Sequence, residues 1–392
     1  MPDQERLNRM RTAMESAQLD ALVLRLPENV LLLSGYWPMI GSAFLIFPLN
    51  GTPTCIIPDC YTGEALAALR STQPIFFPYG LVASPPPTDT IRRLASSLNG
   101  ANAWRRIGYE ANFEAIAPSW NSAESLVPGT DTFSLIQSAF PDATLVDASA
   151  LLKKERRTKT QYEISRLEIA SEISTIGLEV FQHAADTGKS GVELAAEVER
   201  EVMVRGTGYR GAVRVRAYAQ VTIGPQETAL GYRPNVISTT RRLKDGEIAL
   251  LELGLVADGY WADRTRARVA GKPSDLQQAY FDTVVRAQEA AIAAIKPGIS
   301  ASVVDQAARS TIQSAGYGSY FPHITGHGLG FGYHESSPIL GPNSQDVLEV
   351  GMLTSVEPGI YSNASGGIRI EDDVLVTPTG AKVLGPYLKS LA

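Results

Sequence analysis

The segment ALLELGLVADGYWADRTRARV, residues 249–269, dictates its own strand register. Asp258-Gly259 between two apolar runs is the dipeptide of a two-residue hairpin turn, because both central residues need positive φ and Asp and Gly tolerate it. Tight pairing then sets Ala257 opposite Tyr260 and, counting back, Gly254 opposite Asp263. Glu252 shares a face with Gly254 and becomes the diagonal neighbour of Asp263, roughly 7–8 Å away at Cα. Two acids set in apolar strands thus converge, and Gly254 leaves room for something between them.

A second pair lies in MLTSVEPGIYSNASGGIRIEDDVLVT, where Glu357 ends an apolar strand and Glu371 sits in another after a Ser/Asn/Gly turn. Four carboxylates in an apolar core repel one another so strongly that some must be protonated, unless cations of matching charge are present. Between the two pairs runs FPHITGHGLGFGYHE, which holds His323, His327 and His334, three of the four histidines of the chain. Its glycines, Gly326, Gly328, Gly330 and Gly332, lack the spacing of a dinucleotide fingerprint and point to close backbone approach. A single acid at a strand end is ordinarily solvated or salt-bridged; two pairs flanking a histidine cluster are hard to explain by packing. With His327 as a neutral nitrogen, the acids give an oxygen-rich set suited to manganese, cobalt, iron or zinc. Two divalent ions would balance four acids and, about 3.5–4 Å apart, activate a water and polarise a carbonyl.

The 392 residues predict two domains, and the net charge of −6 offers no basic footprint for nucleic acid or an anionic membrane. The N-terminus lacks an apolar signal core, so the expectation is a cytoplasmic, non-membrane protein. Cys55 and Cys60 read as buried free thiols. Up to about residue 150, helix-like stretches alternate with apolar runs such as ALVLRL, AFLIFP and TCIIP, which predicts an α/β domain. Pro85 to Pro87 followed by Thr88 and Asp89 reads as a loop delivering a capped helix start. The polar, basic stretch at 148–162 predicts the boundary, giving domains 1–150 and 151–392. Two helices follow; His183 in the first reads as an ordinary helix residue, and the second has a Ser190/Glu193 capping box and a Gly206 stop. From about 210, strands dominate around a helical stretch near 275–316, an α+β layout.

These residues resemble the creatinase, prolidase and methionine aminopeptidase family, with its pita-bread catalytic fold. The likeness runs from ENVLLLSGY through KTQYEI to EPGIY and GIRIED. It implies an α/β N-terminal domain covering the cleft of an α+β pita-bread domain, and a bimetal centre held at Glu252, Asp263, His327, Glu357 and Glu371. It further implies Glu357 as general acid/base, substrate or transition-state contacts by His323 and His334, and Arg369 beside the acids and substrate. The implied enzyme is a metallopeptidase of the Xaa-Pro dipeptidase or aminopeptidase type acting on short proline-containing peptides, as a homodimer. Two alternatives accompany it: a metal-free, creatinase-like C–N hydrolase of a small amide or amidine, and a non-catalytic pita-bread binding module. Two departures stand out. Glu252 replaces an aspartate, and its extra methylene should push the carboxylate outward and weaken one metal; in TALGYRPN, Gly231 stands where the family commonly has histidine.

Overall fold

In the computed structural model, residues 3–38, 43–79, 86–98, 100–112, 130–233 and 237–392 are described. They divide into two compact units at Arg156 and Arg157. Among them no helix is long and apolar enough to cross a membrane.

In the first unit the apolar runs become β1 (Ala21–Leu24), β2 (Phe44–Pro48), β3 (Thr54–Pro58), β4 (Gln73–Phe77), β5 (Arg106–Tyr109) and β6 (Thr144–Asp147). The mixed sheet is ordered β4-β3-β2-β1-β5-β6; β1–β2 and β2–β3 pair antiparallel and the other neighbours parallel. Strands buried on both faces read as unbroken apolar runs, which is why β1 to β3 show no alternation. Val23, Ile46, Ile56, Ile91, Ile107 and Ile136 fill its core. The run ALVLRLPENVLLL is β1, a turn, and a helix Pro27–Ser34 that opens on Pro27 and has no side-chain cap of its own. Its cap comes from the end of β5: Glu110 accepts from the Arg25 and Leu26 amides at 2.7 and 3.0 Å and from Asn29 Nδ2 at 2.8 Å.

Three local expectations change. The helix after the proline run starts at Pro87, before the Thr88-Asp89 pair, because proline is preorganised for the first helical position; Pro85 lies outside the described residues. Cys55 in β3 is buried, but Cys60 is exposed in a short 3-10 turn, and both are free thiols. The basic stretch read as a boundary is itself helical over Ser149–Arg157.

The second unit opens with helices Gln161–Ala184 and Gly191–Gly206, each begun by a capping box, Thr160 with Glu163 and Ser190 with Glu193. Gly206 does not stop the second helix. It is the last helical residue, pressed against Ile173 so that a Cβ would meet Ile173 Cγ2 at 2.6 Å, and the chain reverses at Gly208 with φ 92°. His183 is exposed on the first helix.

Next comes an antiparallel sheet of β7 (Val215–Ile223), β8 (Ile248–Ala257) and β9 (Tyr260–Val269). The β8–β9 register is the expected one, with Ala257 opposite Tyr260 and Gly254 opposite Asp263, and the turn has φ 50° at Asp258 and 90° at Gly259. Side chains alternate along β8, so its two faces meet different neighbours. One face presents Leu251 and Leu253 to the helices; a Cβ on Gly177 would lie 2.6 Å from Leu253 Cδ2 and 3.0 Å from Val202. Burying each leucine contributes about 1.5–3 kcal/mol, and a larger residue at 177 would pry the helix away. The other face presents Ile248 and Leu250 to a core shared with Val284, Ala287, Val304 and Ile312 of helices Asp275–Ala294 and Ala301–Ser314. Glu252 continues this second face, with Thr265 opposite it and Asp263 one step on.

The remaining strands are β10 (Gly326–Gly328), β11 (Glu335–Leu340), β12 (Leu353–Val356), β13 (Gly359–Ser362), β14 (Gly366–Arg369), β15 (Asp372–Thr377) and β16 (Gly380–Val383). Five form a sheet ordered β11-β10-β12-β15-β16, and β13 and β14 make a separate hairpin.

Candidate functional site

The two acid pairs are placed differently from one another. β12 pairs with β15, setting Val356 opposite Asp372, while the β13–β14 hairpin is extruded between them. Glu357 therefore follows β12 and Glu371 precedes β15. The Glu371 amide donates to Thr265 O at 3.2 Å, stitching this end of the sheet to β9.

The histidine segment is threaded between backbones. A Cβ on Gly326 would stand 2.0 Å from Ser355 O, and one on Gly328 would stand 2.2 Å from Ser337 O. Only glycine fits, as close approach required. His327 between them donates its amide to Ser355 Oγ at 3.1 Å, and its Nδ1 lies 3.0 Å from Gly328 O. That leaves Nε2 facing Glu357 Oε1 at 3.3 Å and Asp263 Oδ2 at 3.5 Å. His334 brings its Nε2 to 3.3 Å from the same Asp263 oxygen, with its ring 3.8 Å from that of His327. His323 stands apart, reaching the acids through two intermediaries. Its Nδ1 is 2.8 Å from Ile324 O and its Nε2 is 3.0 Å from the Tyr361 hydroxyl, which accepts from Arg369 Nη1 at 3.0 Å.

Arg369 is fixed on every side. Nη1 also donates to Gly231 O at 3.1 Å, Nε donates to Thr265 Oγ1 at 3.0 Å, and Nη2 donates to Glu252 Oε2 in an ion pair. Glu252 receives the Tyr333 hydroxyl on Oε1 at 2.6 Å and the Thr265 hydroxyl on Oε2 at 2.8 Å. The room expected over Gly254 is taken by Tyr333, whose ring carbon would be 2.7 Å from a Cβ there. Gly231 is likewise no vacancy for a lost imidazole: a Cβ would meet Leu250 Cδ2 at 2.6 Å.

Protons can be assigned within this cluster. Thr265 Oγ1 accepts from Arg369 and lies 2.8 Å from Glu252 and 2.6 Å from Glu371, yet has one proton to give. Burial opposes the charge of Glu252, but Arg369 and the two hydroxyls hold its pKa at about 2. Thr265 therefore donates to Glu252, and Glu371 carries its own proton; burial, with Asp263 and Glu357 nearby, pushes its pKa well above the carboxylate range. Burial and the charge of Glu252 lift Asp263 to about 7, and burial raises Glu357 despite His327 and Arg369 beside it. For His327, burial is outweighed by Asp263 and Glu357, which raise it to about 9. Burial, aided by neighbouring positive charge, lowers His323 and His334 to about 3.

This pattern fits a missing cation. Both Asp263 oxygens are buried without a hydrogen-bond partner among the described residues, a state that costs several kcal/mol for a charged group. Ligand atoms of Asp263, His327 and His334, of His327, Glu357 and Glu371, and of Glu252, Asp263 and Glu371 lie within 4.8 Å of one another in each group. Of the residues singled out from sequence, the structure gathers Glu252, Asp263, His327, His334, Glu357, Glu371 and Arg369 and sets His323 behind Tyr361. Sequence reasoning missed Thr265, Tyr333, Tyr361 and Ser355; only Thr265 had a signal, standing opposite Glu252 in the hairpin register.

Comparison with known proteins bears on the same residues. Residues 165–378 match the metallopeptidase family M24, and residues 6–158 match the creatinase/prolidase N-terminal domain. The chain is 36% identical over 256 residues to the putative dipeptidase YkvY of Bacillus subtilis, covering 65% of this chain and 68% of that one. It is 29% identical over 388 residues to the uncharacterized peptidase YqhT of the same organism, covering 98% and 99%. Among solved structures, the prolidase from Pyrococcus horikoshii superposes with a TM-score of 0.79 at 25% identity, covering 99% of this chain and all of that one. The Xaa-Pro dipeptidase from Bacillus anthracis gives 0.79 at 27% identity, covering 99% of each. The chain belongs to the metallopeptidase family M24, with a creatinase/prolidase-type α/β domain ahead of a pita-bread catalytic domain.

Proposed function

We propose that this metallopeptidase is an Xaa-Pro dipeptidase or aminopeptidase that cleaves the bond before proline in dipeptides or short peptides. The observation that carries the proposal is the buried Asp263 carboxylate, which has no hydrogen-bond partner among the described residues and is set where His327, His334, Glu357 and Glu371 converge. Asp263, His327, Glu357 and Glu371 would hold divalent metal, manganese, cobalt, zinc or iron by the hardness of the donors. Bound there, such a cation supplies Lewis acidity to a peptide carbonyl and acidifies water.

The residues of the chain do the rest. Glu357 is the general acid/base: its carboxylate is raised by burial, and Ser355 Oγ, 3.1 Å from Oε1, orients it to take a proton from the attacking water and pass it to the leaving proline nitrogen. His334, neutral and partly exposed beside Asp263, is placed to donate to the substrate. His323 acts through the Tyr361 hydroxyl and Arg369, which also orients Glu252. The same reading includes a homodimer in the cytoplasm.

The test is a panel of Xaa-Pro and Xaa-Ala dipeptides and tripeptides with purified protein and added manganese, alongside elemental analysis. Cleavage confined to the proline series is expected. Equal cleavage of the alanine series, or hydrolysis of a small amide by metal-depleted protein, would overturn the assignment.

A further inference from the structure

Given the metal-centre reading proposed above, we infer that this chain holds one divalent cation, around Asp263, His327, Glu357 and Glu371, and that Glu252 anchors Arg369 and Tyr333 instead of serving a second cation. This replaces the pair of cations expected from the sequence.

Glu252 already has its charge and three of its four lone pairs answered by protein. Tyr333 occupies Oε1, and Thr265 and Arg369 occupy Oε2. A cation bound there would find only the second lone pair of Oε1, beside the Tyr333 hydroxyl, unless it displaced one of them. Arg369 is pinned by Thr265, Tyr361 and the Gly231 carbonyl, so its guanidinium cannot swing away without leaving buried donors unmet. It would also remain as a fixed positive charge beside the incoming cation, a repulsion strengthened by the low dielectric.

Tyr333 closes the remaining approach. Its ring lies over Gly254 and is wedged between Trp261, with centroids 5.6 Å apart, and His334, 4.5 Å apart. The phenol therefore fills the space over Gly254, although ligand atoms of Glu252, Asp263 and Glu371 still lie within 4.8 Å of one another. The other side of Asp263 is more open: its Oδ2 meets the Nε2 atoms of His334 and His327 at 3.3 and 3.5 Å, and His327, Glu357 and Glu371 present ligand atoms within 4.8 Å of one another. Arg369 answers the charge of Glu252, so the charge left for cations to meet is that of three acids and not four.

The test is the stoichiometry of manganese on demetallated full-length protein, followed by titration calorimetry and electron paramagnetic resonance. One equivalent with the spectrum of an isolated ion is expected in the wild type. One equivalent is also expected in Glu252→Gln, with affinity weakened by no more than the roughly 10–100-fold typical of losing a group outside the ligand set. In Tyr333→Val combined with Glu252→Asp, a second equivalent and an exchange-coupled spectrum should appear. Two equivalents with a coupled spectrum in the wild type would overturn the proposal and leave the metal reading intact. No binding by correctly folded wild type, checked by circular dichroism, would overturn the metal reading itself. The wild-type measurement decides the matter even if the double variant does not fold.

Discussion

Lys159 Nζ lies 2.9 Å from Glu335 Oε2, and both side chains are buried. The other Glu335 oxygen accepts from the amides of Phe331 and Gly332 at 2.9 and 3.3 Å, so one ion pair fastens the loop that carries Tyr333 and His334. Removing one member of a buried pair strands charge in a poor solvent, at about 3–5 kcal/mol. Lys159→Met should lower the unfolding free energy in urea by that order. A loss of about 1 kcal/mol or less, the size of a surface pair, would show that water reaches this site.

Glu357→Gln keeps the shape of the side chain and removes its capacity to carry a proton. Turnover of an Xaa-Pro dipeptide should fall by about 10²–10⁴-fold, the usual range for a general acid/base. Circular dichroism should be unchanged. Wild-type rates in this variant would reject the role given to Glu357.

Metal uptake should be proton-linked. In the metal-free protein His327 is raised to about 9, and Asp263 to about 7, with Glu371 also raised. His327 is largely protonated and Asp263 about half protonated at neutral pH, and each proton must leave before a cation can coordinate. Affinity for manganese should therefore rise as pH climbs from about 6 to about 9. Calorimetry in buffers of different ionisation enthalpy counts the released protons; a pH-independent affinity with none released contradicts the assignment.

Glu110→Gln tests the borrowed helix cap. The amide would turn a donor toward the Arg25 and Leu26 amides that Glu110 now accepts from. The first unit should lose about 1–3 kcal/mol, the cost of an unmet buried group. The contribution of Glu110 is pH-dependent, because burial lifts it to about 7: a folded-state pKa above the unfolded value favours folding at low pH and loses that contribution as pH rises from about 4.5 to about 7. The deficit of the variant should be measured at pH 8, where the wild-type residue is ionised in both states. An unchanged thermal midpoint there rejects the capping role.

The parts of the site legible in the sequence are those set by local rules. The Asp258-Gly259 turn determines the β8–β9 register, and alternation then puts Glu252, Asp263 and Thr265 on one face. What stayed hidden depends on chain brought from far away. Tyr333 reads as one more aromatic in a glycine-rich segment until the segment is laid over Gly254. The bridge from Glu371 to Thr265 joins strands more than a hundred residues apart, and Glu110 caps a helix some eighty residues before it. The helix Ser149–Arg157 reads as a domain boundary because its lysines and arginines dominate its composition, although Leu152 and Arg156 are buried.

Strand β8 carries hydrophobic anchors and a reactive-centre acid on alternate positions of the same ten residues. A slip of one residue against either neighbour would turn Glu252 toward the helices and swing Leu251 or Leu253 into the acid cluster, so a misaligned strand loses its packing and its chemistry together. Quality control of the fold is thereby quality control of the enzyme: a molecule that passes inspection for compactness has, by that fact, assembled this half of its catalytic pocket.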